Sequence, residues 1–480
     1  MVDVRKFNSK LAIVLVLLFA YVTRVWRLSI PADYYFDEVY HAFTARAYAN
    51  NDPRGYEWWH TAPEGVAYEW LHPPLAKLFQ GFSIYILGEN SFAWRFPSAV
   101  FGVLTVWAVY ELTFELSKKK SWAVIAAMIA SFDGLLLTLS RIAMNDIFVT
   151  FFILMTLKWY FRFSDSRNKN DKCKALFWSS IFAGLALASK WSGIYLLMIV
   201  GLWEIYLRWQ QLLTNKTIWL LKVCLALVLL VCAGWVLLFL KLESVLYVKY
   251  LMTTLLLAID LVLWVRIFSL KRVIQLSIAF VLVPIAIYWL SYGQWWLQGH
   301  TLVQFKELHR QIWWYQTNLE ATHPYQSTPL EWIFNLKPVW FYVKYGETGT
   351  VGNIYALANP AIAWLGLVAA VWMLITSWGQ KTFSNAKRFL VLAYCCLWVP
   401  WLMSPRIMFF YHYTPAMASL TVILAMMFGD WWRLGKIGKG FSVVTMLLFA
   451  GLFVYFFPHW TGYEVPSEWS NHYFWLKSWK

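Results

Sequence analysis

Apolar residues dominate long, nearly uninterrupted runs of this chain, and polar residues collect in the gaps between them. Runs of about 18–20 apolar residues are long enough to cross a bilayer as helices. On that criterion spans are predicted near 11–28, 96–116, 121–138, 147–163, 175–190, 192–208, 217–240, 245–265, 273–292, 359–378, 388–403, 410–430 and 440–458. The stretch 217–265 fits least cleanly, because Lys241, Glu243, Lys249 and Asp260 interrupt it. The first run, Leu11–Trp26 behind Arg5, Lys6 and Lys10, has a signal-peptide look, but no small-residue cleavage site follows and it reads as a retained first span. The expected fold is an all-α polytopic membrane protein of about 11–13 transmembrane helices, treated as one domain over 1–480.

Composition agrees: the chain is 60% hydrophobic and 14% charged, with a mean hydropathy of +0.51, too apolar for an ordinary soluble protein. Its 33 Trp and 27 Tyr suit side chains that settle at a membrane–water boundary. With the N-terminus inside, the inner segments hold 23 of the 41 basic residues and about seven of the 25 acidic ones, which accounts for the whole formal charge of +16. Basic charge therefore reports topology, and short, separate basic loops give no nucleic-acid groove. The five cysteines form no disulfide framework, since Cys224, Cys232, Cys395 and Cys396 lie in apolar runs and Cys173 in a charged loop.

Three outer segments exceed mere turns: 29–95, 293–358 and the tail 459–480. Long ordered loops in a compact protein are usually functional, so chemistry is sought there. "YYFDEVYHAFTAR" (34–46) places Asp37 and Glu38 at the start of a helix predicted from Phe36, Val39, Tyr40, Phe43 and Ala47 and stopped by Asn50-Asn51-Asp52-Pro53. The plain reading makes Asp37 a helix cap and Glu38 a dipole partner; the functional one makes a proton acceptor at the membrane boundary. "EWLHPPLAKLF" (69–79) begins a helix at Leu75, with His72 before it and Lys77 in its first turns, a setting for an anionic head group or for a snorkelling lysine. Asp133, Arg141 and Asp146 stand at the outer ends of two spans, as a functional group or as an Arg141–Asp146 pair. Lys190, and Arg406 with His412, occupy two further short outer turns, and together these cations describe a rim for a lipid-borne phosphate. The second loop holds "WWYQTNLEATHPYQSTPLEW" (313–332), with no Gly-rich phosphate cradle, HExxH or CxxC, and His300, His309 and His323 too scattered for a metal site.

In combination, "FDEVYH", "HPPLAK", "RFPSAVFG" (95–102), "LTLSRIAMNDIF", "ASKWSGIY", "ATHPYQS", "NPAIAWLG" (359–366), "RIMFFYHYTPA" and "WTGYEVPSEW" (460–469) resemble, in order, the bacterial dolichyl- or polyprenyl-phosphate-mannose–protein mannosyltransferases, members of the GT-C glycosyltransferases. The resemblance runs from about residue 34 to the C-terminus. It implies a polyprenyl-phosphate-mannose donor at the outer leaflet of the plasma membrane and a Ser or Thr hydroxyl of a translocating protein, near the secretion translocon, as acceptor. It implies a cytoplasmic N-terminus with the catalytic loops and C-terminus outside. By the same resemblance Asp37 is the general base, Glu38 orients the acceptor, and Arg141, Lys190, Arg406, Lys77, His72, Arg95 and Asp146 surround the donor phosphate and sugar, with His323 and Tyr325 toward the acceptor. A single displacement inverts the sugar; a retaining route would need a second carboxylate such as Asp146. No cofactor is required, although Asp37 and Asp146 could share a divalent cation.

The second outer loop is too short for the β-trefoil domain that eukaryotic members insert, 217–265 adds two apolar segments to the family pattern, and His41 has no assigned part. Two rivals remain. One is a GT-C transferase with a glycan or lipid acceptor. The other is a transporter, which would show mid-span charges and internal repeats.

Overall fold

The computed structural model describes residues 8–211, 216–239, 246–347, 349–377 and 384–480. Each predicted span coincides with helix. In chain order the helices are α1 (Ser9–Val25), α2 (Glu38–Ala49), α3 (Leu75–Leu87), α4 (Ser91–Ser117), α5 (Lys120–Ser131), α6 (Gly134–Leu139), α7 (Asp146–Asp165), α8 (Lys169–Ser189), α9 (Tyr195–Gln211), α10 (Lys216–Phe239), α11 (Leu246–Ile267), α12 (Leu270–Ser277), α13 (Val283–Ser291), α14 (Gly293–Leu297), α15 (Leu302–Asn318), α16 (Pro329–Ile333), α17 (Pro360–Ser377), α18 (Ser384–Trp398), α19 (Thr414–Trp432), α20 (Gly435–Thr461) and α21 (Ser467–Asn471). Among the described residues eight helical segments are long and apolar enough to cross a membrane, and the protein is a multi-span integral membrane protein. Of the interrupting charges in 217–265, Lys241 and Glu243 lie outside the described residues.

Treated as one domain in the sequence, the chain divides into two compact units, Leu197–Val283 and the remainder. Within the smaller unit α10 packs along α11, and Arg272 pairs with Glu204 through two hydrogen bonds, from Nε at 3.0 Å and Nη2 at 2.5 Å. The larger unit carries everything that follows. Its centre is α19, apolar on every face and buried from Thr414 to Gly429, as expected of a helix with no polar stripe. It packs against α4, α5, α7, α17, α18 and α20.

Local sequence explains how the outer ends are shaped. The third predicted span breaks into α5 and α6 at Asp133. There the carboxylate accepts from the backbone N–H of Leu136 at 2.9 Å, capping α6, and from that of Asn359 at 3.1 Å. The first loop behaves as its pattern predicts: α2 stops at Ala49 before Asn50-Asn51-Asp52-Pro53, and α3 starts directly after Pro73-Pro74.

Three short strands join the helices, a departure from an all-α chain. β1 (Val339–Tyr345), β2 (Thr350–Ala356) and β3 (Val465–Pro466) form an antiparallel sheet in the order β1-β2-β3. It ties the second outer loop to the C-terminal tail. Gly462 makes the junction possible: it ends α20 with φ +70°, and its N–H donates to Asn353 O at 3.1 Å.

Candidate active site

The site begins with a strained residue. Phe36 takes a left-handed backbone conformation, φ +49°, which costs a side-chain-bearing residue about 1–2 kcal/mol. Its ring stacks on Phe341 with centroids 4.2 Å apart, and this packing holds the bend. The bend starts α2 at Glu38 and leaves Asp37 at the N-cap position with no side-chain capping hydrogen bond. The cap reading of Asp37 therefore fails: its carboxyl accepts no hydrogen bond from the first turn of α2. It opens instead into a cavity of about 930 Å³ lined by the start of α2, residues 67–72, Met144 and Asp146, 190–195, the end of α15 with 319–323, and 400–412.

Charges of both signs line this cavity. Asp146, the first residue of α7, accepts from Lys190 Nζ at 2.7 Å, and both are buried. The Lys190 ammonium also lies 5.6 Å from the ring centre of Tyr411. Arg406, in the turn between α18 and α19, donates from Nη1 to Gln316 Oε1. Its guanidinium sits 5.7 Å from the ring centre of Tyr315, and its Nε has no hydrogen-bond partner. The enclosed setting pushes the Asp37 carboxyl up to about 7, first by desolvation and then by the negative charge of Asp146; Lys190 and Arg406 pull against that rise. A carboxyl near 7 exchanges protons readily at physiological pH.

Of the residues expected around the donor, Lys190, Arg406, His72 and Asp146 line the cavity with Asp37, and so does His323. Five others do not. Glu38 is fully buried, and its oxygens accept from Arg95 Nε and Nη2 at 2.8 and 2.7 Å, Ala143 N at 3.0 Å, Trp94 Nε1 at 3.3 Å and Tyr35 N at 3.4 Å. With every lone pair engaged it braces the helix that Asp37 precedes, and it lies outside the cavity lining. Arg95 is consumed in the same bracket, since it also donates to the carbonyls of Leu28, Pro31 and Asp33. Arg141 does not pair with Asp146. Its Nη1 closes the C-terminal end of α1 on the carbonyls of Thr23, Arg24 and Trp26, at 2.8–3.1 Å. Lys77 is buried against the Glu69 carboxylate and the His72 carbonyl. Tyr325 lies outside the lining, its N–H donating to His323 Nδ1 at 3.1 Å. Each position was readable in the sequence; which way each side chain turns depends on partners 2 to 118 residues away.

Glu69, Tyr411 and Gln316 also line the cavity, and no role was drawn for them from sequence. The signal for Tyr411 was its place beside His412. Glu69 and Gln316 carried none, being single polar residues in aromatic loops. As for a shared cation, Asp146 is already paired with Lys190. Among the described residues no group of three or more His, Cys, Asp or Glu is arranged to hold a metal ion.

A helical bundle with long loops around a charged cavity is the GT-C glycosyltransferase fold, and solved structures share it. The chain superposes on the S. cerevisiae protein O-mannosyltransferase Pmt1-Pmt2 complex bound to the sugar donor with a TM-score of 0.74 at 14% identity, covering 100% of this chain and 93% of that one. It also superposes on ArnT from Cupriavidus metallidurans with a TM-score of 0.52 at 11% identity, covering 91% and 62%. Two family models match, "Dolichyl-phosphate-mannose-protein mannosyltransferase" over residues 14–221 and "C-terminal four TMM region of protein-O-mannosyltransferase" over 301–479. The chain belongs to the protein mannosyltransferase family and is a glycosyltransferase. The polyprenol-phosphate-mannose–protein mannosyltransferase of Corynebacterium glutamicum is 26% identical over 85% of this chain and 81% of its own length. Its Mycobacterium tuberculosis counterpart is 23% identical over 97% and 91%.

Proposed function

We propose that this protein transfers mannose from a polyprenyl-phosphate-mannose lipid to Ser or Thr hydroxyls of proteins, with inversion at the anomeric carbon. The observation that carries the reading is Asp37: an uncapped carboxyl, raised to about 7, opening into a cavity that Arg406 and the Lys190–Asp146 pair also line. The acceptor oxygen attacks C1 as its proton passes to Asp37, and the C1–O bond to phosphate breaks in the same step. Negative charge thus leaves the base as it grows on the phosphate. Cations near the leaving group favour that shift more than an acid would, because a phosphate needs no protonation to depart.

Arg406 is the cation for this task, since it lines the cavity and has no carboxylate paired with it among the described residues. Lys190 holds Asp146 and lends its charge to the same wall. His72 and Asp146 face the sugar, and His323 stands toward the acceptor. Glu38, Arg95, Arg141 and Lys77 act by holding the frame. The site works at the outer face of the plasma membrane, with the N-terminus cytoplasmic and the loops and C-terminus outside; the charge asymmetry of the sequence supports this orientation. An acceptor still emerging from the secretion translocon would meet the cavity unfolded.

The test is transfer from radiolabelled polyprenyl-phosphate-mannose by the purified protein in liposomes, offered a Ser/Thr-rich peptide, a mannoside and a lipid acceptor in parallel. Label on the peptide, released by β-elimination, supports the proposal. Label only on the mannoside or lipid replaces the acceptor class while leaving the donor in place.

A further inference from the structure

Two histidines line the cavity without exchanging a proton in the step just described: His72, which faces the sugar, and His41. His41 lies one turn along α2 from Asp37, and His72 comes just before α3. Their rings lie one over the other, with centroids 6.0 Å apart and planes within 16°. His72 Nδ1 is 3.2 Å from the Leu71 carbonyl oxygen, so this nitrogen carries the proton and Nε2 is left as a lone pair. His41 Nδ1 is 3.6 Å from Glu69 Oε2, beyond hydrogen-bond reach, and among the described residues this buried nitrogen has no hydrogen-bond partner. Both residues line the cavity. Among the described residues no hydrogen bond engages either Nε2. Burial, with the positive charges of Lys77 and Lys190, holds both rings well below the usual histidine range, so both are neutral.

The rest of this wall is charged: Asp37, the Asp146–Lys190 pair and Arg406. A hexose entering it gives up water at several hydroxyls, each of which then needs an acceptor. Carboxylates would meet that need but repel the donor's phosphate. A neutral imidazole lone pair accepts from a hydroxyl without that repulsion. We propose that His41 and His72 together form the sugar-reading wall of the donor site, accepting hydrogen bonds through Nε2 from hydroxyls of the transferred neutral hexose. The proposal rests on the donor reading above and adds the residues that set sugar specificity. Stacking sets the spacing of the two acceptors, and the contact at Leu71 fixes the His72 tautomer.

The experiment compares polyprenyl-phosphate-mannose with its 2-, 3-, 4- and 6-monodeoxy analogues as donors, for wild type, His41→Phe, His72→Phe and His72→Gln. Within each variant the readout is kcat/KM for each analogue relative to mannose, a ratio independent of the fraction folded. Wild type should disfavour at least one analogue by on the order of 10-fold or more, because a buried acceptor is then left without its hydroxyl. Each Phe variant should lose discrimination at one position, and His72→Gln, which keeps an acceptor, should retain part of it. If a Phe variant transfers nothing, the Gln profile decides. Equal deoxy profiles in wild type and variants overturn the proposal, as does a wild type that uses all five donors alike. A wild type that transfers none of them overturns the donor reading itself.

Discussion

The Lys190 ammonium lies 2.7 Å from Asp146 Oδ1, and this pair lines the same cavity as Asp37. The pair sets the proton affinity of Asp37 from both directions, because Asp146 raises it and Lys190 lowers it. Transfer requires the deprotonated base, so kcat/KM should fall as pH drops through about 7. Asp146→Asn removes the anion and releases Lys190 from its partner, and both changes favour the charged form of Asp37. The acid limb should therefore move to lower pH, which a pH–rate profile of the two proteins measures. A limb that stays in place shows that Asp37 is not the titrating base.

Stability should run the other way. A carboxyl raised from 3.8 to about 7 in the folded protein contributes stability that is fully present below about 3.8 and lost as pH rises through 7. Asp37→Asn should thus flatten part of the pH dependence of thermal unfolding and leave the protein at least as stable as wild type above pH 7. Scanning fluorimetry in detergent between pH 5 and 8 reads this directly.

Glu38 and Arg95 form a buried pair, each about 1% exposed or less. Removing one partner strands a buried charge, so Glu38→Gln and Arg95→Met should each destabilise by about 3–5 kcal/mol. The double variant should cost less than the sum of the two. Unfolding midpoints for the single and double variants give the coupling; an additive double variant would mean that the bracket is not one unit.

Arg141 and Arg406 look alike in the sequence, each a lone cation in a short outer turn. The structure predicts opposite behaviour. Arg141→Met removes the donor to three carbonyls and should lower stability by about 1–3 kcal/mol with the donor KM unchanged. Arg406→Met should leave the unfolding midpoint near wild type and lower kcat by on the order of 100-fold, the scale of losing one charge-stabilising donor in a transition state. Steady-state kinetics beside thermal unfolding separates the two.

The helices were legible because a span is specified by hydropathy alone, without reference to its neighbours. α2 and α3 were legible for a different reason: Asn50-Asn51-Asp52-Pro53 and Pro73-Pro74 are local stop and start signals. The hairpin of β1 and β2 left a local trace as well, an aromatic and β-branched run, "VWFYVKY", followed by Gly346 and Gly349, but the all-α expectation passed over it. The division of labour among the cations could not be read in this way. Arg95, Arg141 and Lys77 face carbonyls and carboxylates brought in by other segments, and only the fold decides that Arg406 faces the cavity. His41 was visible beside the acidic pair, yet its partner, His72, is 31 residues further on.

The central claim is that Asp37 takes the acceptor's proton. The direct measurement is single-turnover transfer from labelled polyprenyl-phosphate-mannose to a Ser-containing peptide by wild type and Asp37→Asn, with donor binding measured in parallel. The account predicts that Asp37→Asn binds the donor as wild type does and transfers at least about 100-fold more slowly. Transfer by Asp37→Asn at the wild-type rate would contradict it.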